Sequence, residues 1–435
     1  MRKTFSALIF LLSSSAQACP DLSAFYLAEQ SPASQSALAA QLAPLMSQCL
    51  QSAEFFALIG AAQMESGDLT TALESLERAL LLDPANGAAQ IDYAQALYLR
   101  GQVFSALDLN RQILARTDLP AEIEALVRQR DQLWQAGTRQ TGFQLETLVG
   151  YDDNLNGAPD PSQITLTLSG EPITLTLNPE FQAVSGRYLN LRGGASHQRL
   201  TAGHRHNARV EARGRMSQDS GSDLLQLQSR YEFLRPRRGS SWLASLAAGQ
   251  LFFGGSALYT ASEALVRYSH PGARTCGRRY DFTVQHQHFH GQRNLNSLEA
   301  KLAAGVECQV AVAGMPSVLG LELGLLSNTA LSSGRPGENR RGWQVSADWQ
   351  WPVSGGLIRS QMNYTRLRDQ AGYSPLLANG ADRWLERSYV LLQYQRPIQP
   401  GLMFLTRFYH QYQRSNIALF DTRDSSLEIG LGFAF

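Results

Sequence analysis

Residues 425–435 read SSLEIGLGFAF. Taken with period two, Leu427, Ile429, Leu431, Phe433 and Phe435 fall on one face, and Ser426, Glu428, Gly430, Gly432 and Ala434 on the other. A strand in lipid needs an apolar outward face, while its inward face tolerates small and polar residues. A tilted spanning strand also needs about ten residues. The segment therefore reads as one strand of a membrane barrel.

Upstream, the same period recurs. In GWQVSADWQW, Trp343, Val345, Ala347, Trp349 and Trp351 share one face, and Gln344, Ser346, Asp348 and Gln350 the other. Tryptophans at both ends of a spanning face belong to aromatic girdles. In DLLQLQSRYEFLR, Leu225, Leu227, Tyr231 and Phe233 oppose Gln226, Gln228, Arg230 and Glu232. Charges such as Arg230 and Asp348 are costly in a dry core but solvated in a wet lumen. Counting on from Gly137-Thr138 gives about fourteen strands, an even number. Odd connections are long (Asn156–Ser185, Leu331–Arg341, Asp369–Arg383, Arg414–Arg423), and even ones are short (Pro352–Gly356, Ile398–Gly401). A soluble sandwich gives no reason for that alternation. The fold class is α plus membrane β, an N-terminal α-solenoid followed by a transmembrane antiparallel barrel. The expected domains are a signal peptide 1–18, a helical domain 19–137 and a barrel 138–435.

The formal net charge of +1 hides a split. From Arg139 onward there are 30 basic and 23 acidic residues, whereas 19–138 carry 6 and 14. Arg2 and Lys3, the apolar run Phe5–Leu12 and Ala16-Gln17-Ala18 read as a secretory signal with its cleavage site. Cys19 directly follows, where either a plain signal-peptidase cut or a lipid-modified cysteine is compatible with the sequence. Four cysteines in an exported chain predict two disulfides, and three pairings are open. Spacing favours Cys19 with Cys49 and Cys276 with Cys308. A hairpin turn near Gly291–Gln292 puts Cys276 opposite Cys308 once His290 is set against Asn294.

Residues 53–120 contain two repeats of about 34 residues. Phe56, Ile59, Gly60, Gly67-Asp68-Leu69, Ala72, Leu76, Ala79, Leu80 and Pro84 return as Tyr93, Ala94, Gly101, Ala106, Ile113, Leu114 and Pro120. This pattern resembles the tetratricopeptide repeat, with Gln90 at a usual aromatic position and flanking helices at 20–50 and 121–136. Such a stack presents a concave side lined by Glu54, Ala61, Met64 and Glu65, then Ile91, Gln95 and Tyr98. These residues either bind a protein segment or only pack the solenoid.

Two other groups attract notice. Asp152, Asp153, Asn154 and Asn156 offer oxygens to Ca²⁺ or shape the turn after the first strand. His286, His288 and His290 share one face of the seventh strand near its rim, as ligands for a transition metal or haem edge, or as plain rim or lumen residues. No nucleophile–base order, paired-carboxylate motif, phosphate loop or zinc spacing stands out, so no enzyme and no cofactor is expected.

The whole arrangement resembles the surface lipoprotein assembly modifiers, carried also by the sequence Tyr151-Asp152-Asp153-Asn154-Leu155-Asn156 after the first strand. The final strand resembles the closing strand of bacterial outer-membrane proteins, whose terminal Phe is read by the insertion machinery. These resemblances imply an outer-membrane translocon for lipoproteins or small secreted proteins, with the helical domain engaging the client in the periplasm. The client would pass through a polar lumen or an opening seam between first and last strands. The implied partners are outer-membrane lipid and lipopolysaccharide, the barrel-insertion machinery and an exported client, with no nucleic acid and a monomeric state. An exopolysaccharide export porin is the alternative, because Arg209, Arg213 and Arg215 recur at even spacing and would favour an anionic polymer. A passive porin with an accessory domain is the third reading.

Overall fold

In the computed structural model, which describes residues 19–27, 31–237, 239–272, 275–312 and 314–435, the period-two segments pair into one closed antiparallel ladder. The signal-peptide reading of 1–18 lies outside the described residues. The chain divides into two compact units, Met1–Thr138 and Arg139–Phe435.

The first unit is helical: α1 Pro32–Leu42, α2 Ala53–Glu65, α3 Leu69–Leu82, α4 Gly87–Leu99, α5 Val103–Leu114 and α6 Ala121–Gly137. The starts are written in the sequence. Ser52, Asp68 and Asn86 each accept a backbone N–H from the first turn of α2, α3 and α4. Gly67 and Gly101 take left-handed conformations where α2 and α4 end. Phe55, Ile59, Leu76 and Ile113 are the large side chains fully buried between helices. The repeat needs Gly60 because a Cβ there would lie 2.6 Å from Leu76 Cγ. Cys19 is bonded to Cys49. That sulfur therefore cannot carry the thioether of a lipid anchor.

The second unit is the barrel. Its strands are β1 Arg139–Asp152, β4 Gly186–Thr201, β5 His204–Ser217, β6 Leu224–Arg237, β7 Ser240–Phe253, β8 Ser256–Pro271 and β9 Cys276–Phe289. They continue as β10 Ser297–Val312, β11 Met315–Ala330, β12 Arg340–Val353, β13 Gly356–Gly372, β14 Asp382–Gln399, β15 Leu402–Ser415 and β16 Thr422–Ala434. Each pairs with its sequence neighbour, and β1 closes on β16, giving fourteen strands. The first long connection carries a separate hairpin, β2 Gln163–Leu168 with β3 Glu171–Thr176, where the sequence suggested one around Ser169-Gly170-Glu171-Pro172.

Leu427, Ile429, Leu431 and Phe433 project outward and exposed, with Leu321, Leu323 and Leu325 continuing the apolar surface on β11. Cys276 and Cys308 are Cα partners across β9 and β10, and the two are bonded. The turn that suggested this register is not a tight hairpin, since β9 stops at Phe289 and a short 3-10 turn, Arg293–Leu295, fills the connection. The register carries through because the paired strands keep the same offset below it.

We call the rim where β1 begins the near rim and the other the far rim. Far-rim connections are long, with one exception: β7 meets β8 through Gly254-Gly255 alone. The alternation of loop length is thus a trend. Strands also run further than the sequence suggested, so Asp369 and Arg383 belong to β13 and β14 and not to the connection between them.

Replacing Gly60 with alanine tests the helical packing. The substitution gains about 1 kcal/mol of helix propensity but forces Leu76, which overpacking penalises by about 1–3 kcal/mol. The expected result is a net loss of about 1 kcal/mol, read as a lower thermal midpoint of the helical circular-dichroism signal. An unchanged or higher midpoint would show that the two helices do not need this close approach.

Candidate functional site

The barrel interior is built from alternate residues of every strand, and its most connected point lies at the closing seam. Glu428 of β16 is almost wholly buried on the inner wall. Its Oε1 accepts from Tyr188 Oη at 2.9 Å and Asn190 Nδ2 at 2.6 Å, both from β4. Its Oε2 accepts from Arg407 Nη1 of β15 at 2.9 Å. Arg407 also donates to Glu146 of β1 at 3.1 Å. Arg407 and Glu428 are direct register partners, whereas the other bonds step over a strand, joining β16 to β4 across β1 and β15 to β1 across β16. The crossing over β1 requires Gly150, since a Cβ there would sit 2.6 Å from the Tyr188 ring. The backbone pairing at this seam is short, running from Gln144–Ala434 to Asp152–Ser426. Side chains thus reinforce the join where the ladder is least extensive.

Arg209, Arg213 and Arg215 do face the lumen, as the spacing implied, but two of them are neutralised. Arg209 and Arg192 both donate to Glu211, at 2.8 and 2.7 Å. Arg215 meets Asp152 at 3.1 Å. Arg213 is exposed to the lumen and forms no ion pair among the described residues. Elsewhere on the wall Arg230 pairs with Glu263, Arg267 with Asp281, and Arg279 and Lys301 with Glu322.

The far-rim loops are tied together. Asp369, almost wholly buried, lies 2.9 Å from Arg340 and 3.1 Å from Arg383. The Arg383 guanidinium rests on the rings of Tyr373 at 4.2 Å and Phe420 at 4.3 Å. Arg335, in the β11–β12 loop, donates to Asn328. The β2–β3 hairpin joins the β13–β14 loop through a Leu166–Leu377 bridge and a Thr167 N–H to Leu376 C=O bond of 2.8 Å.

The remaining candidates in this unit fall into place. Asp152, Asp153 and Asp424 bring carboxylate oxygens within 4.8 Å of one another, the one such group of potential metal ligands among the described residues. Two of the three serve the turn: Asp152 accepts from Asn154 N–H and Asp153 from Ser425 N–H, each at 2.7 Å. Asn154 and Asn156 do not join them, because their amides bond Ala158, Arg423, Gln182 and Val184 backbone groups. His286, His288 and His290 lie on the outer side rather than in the lumen. His288 meets Asn296 at 3.1 Å, and His290 meets Thr260 at 2.9 Å.

The helical groove is narrower than the repeat pattern implied. Tyr98 is stacked on Trp134 of α6, with centroids 4.3 Å apart. The Ile91 carbonyl accepts from Arg130 at 3.0 Å. Glu54 accepts from Tyr26 at 2.9 Å, and burial followed by that bond pushes the Tyr26 phenol up to about 12. Met64 is buried between helices. Ala61, Glu65 and Gln95 keep exposure, joined by Asp92, which the sequence did not single out. Burial, then the Glu65 charge, raises the Asp92 carboxyl to about 6, with Arg130 acting the other way.

The sequence matches the tetratricopeptide repeat family over residues 63–129. No curated protein matches it. Among solved structures, it is similar to the anion-selective porin of Comamonas acidovorans at 9% identity and TM-score 0.36, covering 68% of this chain and 99% of that one. OmpT of Vibrio cholerae gives 8% identity and TM-score 0.37, covering 68% and 97%. A bacterial polysaccharide outer membrane secretin gives 7% identity and TM-score 0.35, covering 67% and 98%. At this distance the likeness is one of barrel architecture alone.

Two measurements follow from these sites. Replacing Asp369 with alanine strands buried guanidinium groups, a change that costs about 3–5 kcal/mol locally when a buried pair is broken. Protease cleavage should appear within 331–339 and 373–381 while the barrel stays folded; intact loops would refute the latch. The folded helical unit holds the Asp92 proton more tightly than the unfolded chain does. The stability from that proton is full below about pH 4 and is lost as pH rises through about 6. Asp92→Asn should therefore stabilise the unit by roughly 1–3 kcal/mol at pH 7.5 and by little at pH 4 in denaturant melts.

Proposed function

We propose that the chain is an outer-membrane translocon that exports a lipoprotein or small secreted protein, with its helical unit in the periplasm engaging the client. The observation that carries this reading is covalent: Thr138 alone separates α6, the last helix of the tetratricopeptide unit, from the first barrel strand. A passive pore has no use for such a stack. The apolar outer surface and polar interior support insertion of the barrel in a membrane. The tied far-rim loops support a gated mouth over a free channel.

Charge on the two units refines the reading. Glu65 and Asp92 on the groove, with no ion pair to either among the described residues, suit a client segment bearing a basic side chain. The polysaccharide alternative rests on luminal arginines, and most of these are already paired with carboxylates. A wall so neutralised gives an anionic polymer little purchase. The seam is bridged from inside by Glu428 and Arg407, which supports passage through the lumen over lateral opening.

The test compares surface-exposed proteins of cells with and without the chain, by protease shaving and mass spectrometry. A specific protein should be lost from the surface and accumulate inside, and the same loss should follow from deleting 31–137 or from Glu65→Lys with Asp92→Lys. Loss of surface polysaccharide with an unchanged surface proteome would overturn the proposal in favour of the alternative. Orientation is read separately, by a tag in the 331–339 loop, expected to label on intact cells, and one at 354–355, expected not to.

A further inference from the structure

The outer wall near the far rim carries a group of arginines that no feature above explains. On β11 the outward apolar row ends at Leu325, and Ser327 follows. The register sets Leu325 opposite Trp343 and Ser327 opposite Arg341 on β12. On β13, Arg366 lies opposite Trp343 and Arg368 directly opposite Arg341. On β14 and β15, Glu386 faces both Arg366 and Arg414. Arg341 and Arg368 thus stand one step beyond the last apolar row, and Arg366 and Arg414 stand level with it, beside Trp343 and Tyr364, whose ring centroids are 5.2 Å apart.

This arrangement costs free energy as it stands. Like charges directly opposite on neighbouring strands repel, and Arg341 and Arg368 are such a pair. Two carboxylates share the group loosely, Asp382 at 3.7 Å from Arg368 and Glu386 at 3.5 Å from Arg366. Both separations exceed hydrogen-bond length. Arg341 has no ion pair or hydrogen bond among the described residues. Four cations against two distant anions leave an excess at the depth where lipid headgroups would lie.

We infer that this patch on β12–β15 binds the phosphate monoester of an anionic glycolipid in the surrounding leaflet. Arginine forks match phosphate oxygens with paired hydrogen bonds. The Trp343 and Tyr364 rings sit where the ligand's acyl chains meet its headgroup. A lipid is favoured over a soluble anion because the patch opens sideways, continuous with the apolar band. The inference rests on the membrane reading above.

The test uses the full-length protein in phosphatidylcholine nanodiscs containing diphosphoryl lipid A or its dephosphorylated form, with retained lipid counted by native mass spectrometry. The diphosphoryl form should be retained about tenfold more, and Arg341→Ala with Arg368→Ala should abolish the preference. Arg341→Lys with Arg368→Lys keeps the charge and should retain much of it, which separates charge loss from misfolding. Excess inorganic phosphate should not compete. Equal retention of both lipids by the wild type, or effective competition by free phosphate, would overturn the inference. If the alanine variant does not insert, those two wild-type measurements decide. Nanodisc binding is independent of client export and of loop labelling, so failure here and failure of the proposed function are told apart.

Discussion

A strand immersed in hydrocarbon must place its backbone N–H and C=O groups on neighbouring strands, and an open sheet leaves two edges unsatisfied. Here the demand falls on β1 and β16, whose pairing is brief. The structure answers with side chains that skip a strand. Glu428 takes Tyr188 and Asn190 from one side and Arg407 from the other. Such a carboxylate could not be placed on the outward face at mid-depth without a cost of kcal/mol order. Inward polarity and seam closure are therefore one requirement. Gly150 of β1 follows from it, because it clears the path of the Tyr188 ring.

The basic excess of the strand-rich unit reads differently once the strands are paired. Spacing along β5 correctly puts Arg209, Arg213 and Arg215 inside, but spacing on one strand is blind to what the next strand offers. Glu211 lies between two of these arginines on their own face, and Asp152 comes from β1. Arg230, Arg267 and Arg279 elsewhere on the wall are matched in the same way. Much of the surplus instead faces outward near the far rim, at Arg341, Arg366, Arg368 and Arg414. Spacing along β5 suggested a cationic lumen face, whereas register gathers cations on the outer wall of β12–β15.

What was legible followed period. Alternation gave the strands and the outward apolar face of 425–435, because a side chain's face depends only on its own parity. The cysteine register was legible for the same reason: a constant offset on β9 and β10 carries across an irregular loop. Bonds between distant positions were not legible. Glu428 could be assigned inward, but two of its three partners, Tyr188 and Asn190, lie 240 and 238 positions away. Asp369 looked like a loop residue because its strand gives no clear apolar alternation near the far rim. The β7–β8 turn escaped the loop-length trend, since nothing in neighbouring connections constrains it.

The groove shows the same limit in the helical unit, with a consequence for mechanism. A repeat pattern marks which face of a helix is concave, but not whether another helix covers it. Here α6 takes Tyr98 through Trp134 and the Ile91 carbonyl through Arg130. What stays open is a short acidic stretch from Ala61 and Glu65 to Asp92 and Gln95. A surface that small cannot sheathe a long unfolded chain, because affinity in such grooves comes from a few desolvated anchors. Within the proposed function, the helical unit is thus suited to reading one basic address segment on its client. Keeping the rest of the client competent for passage would then fall to a separate factor.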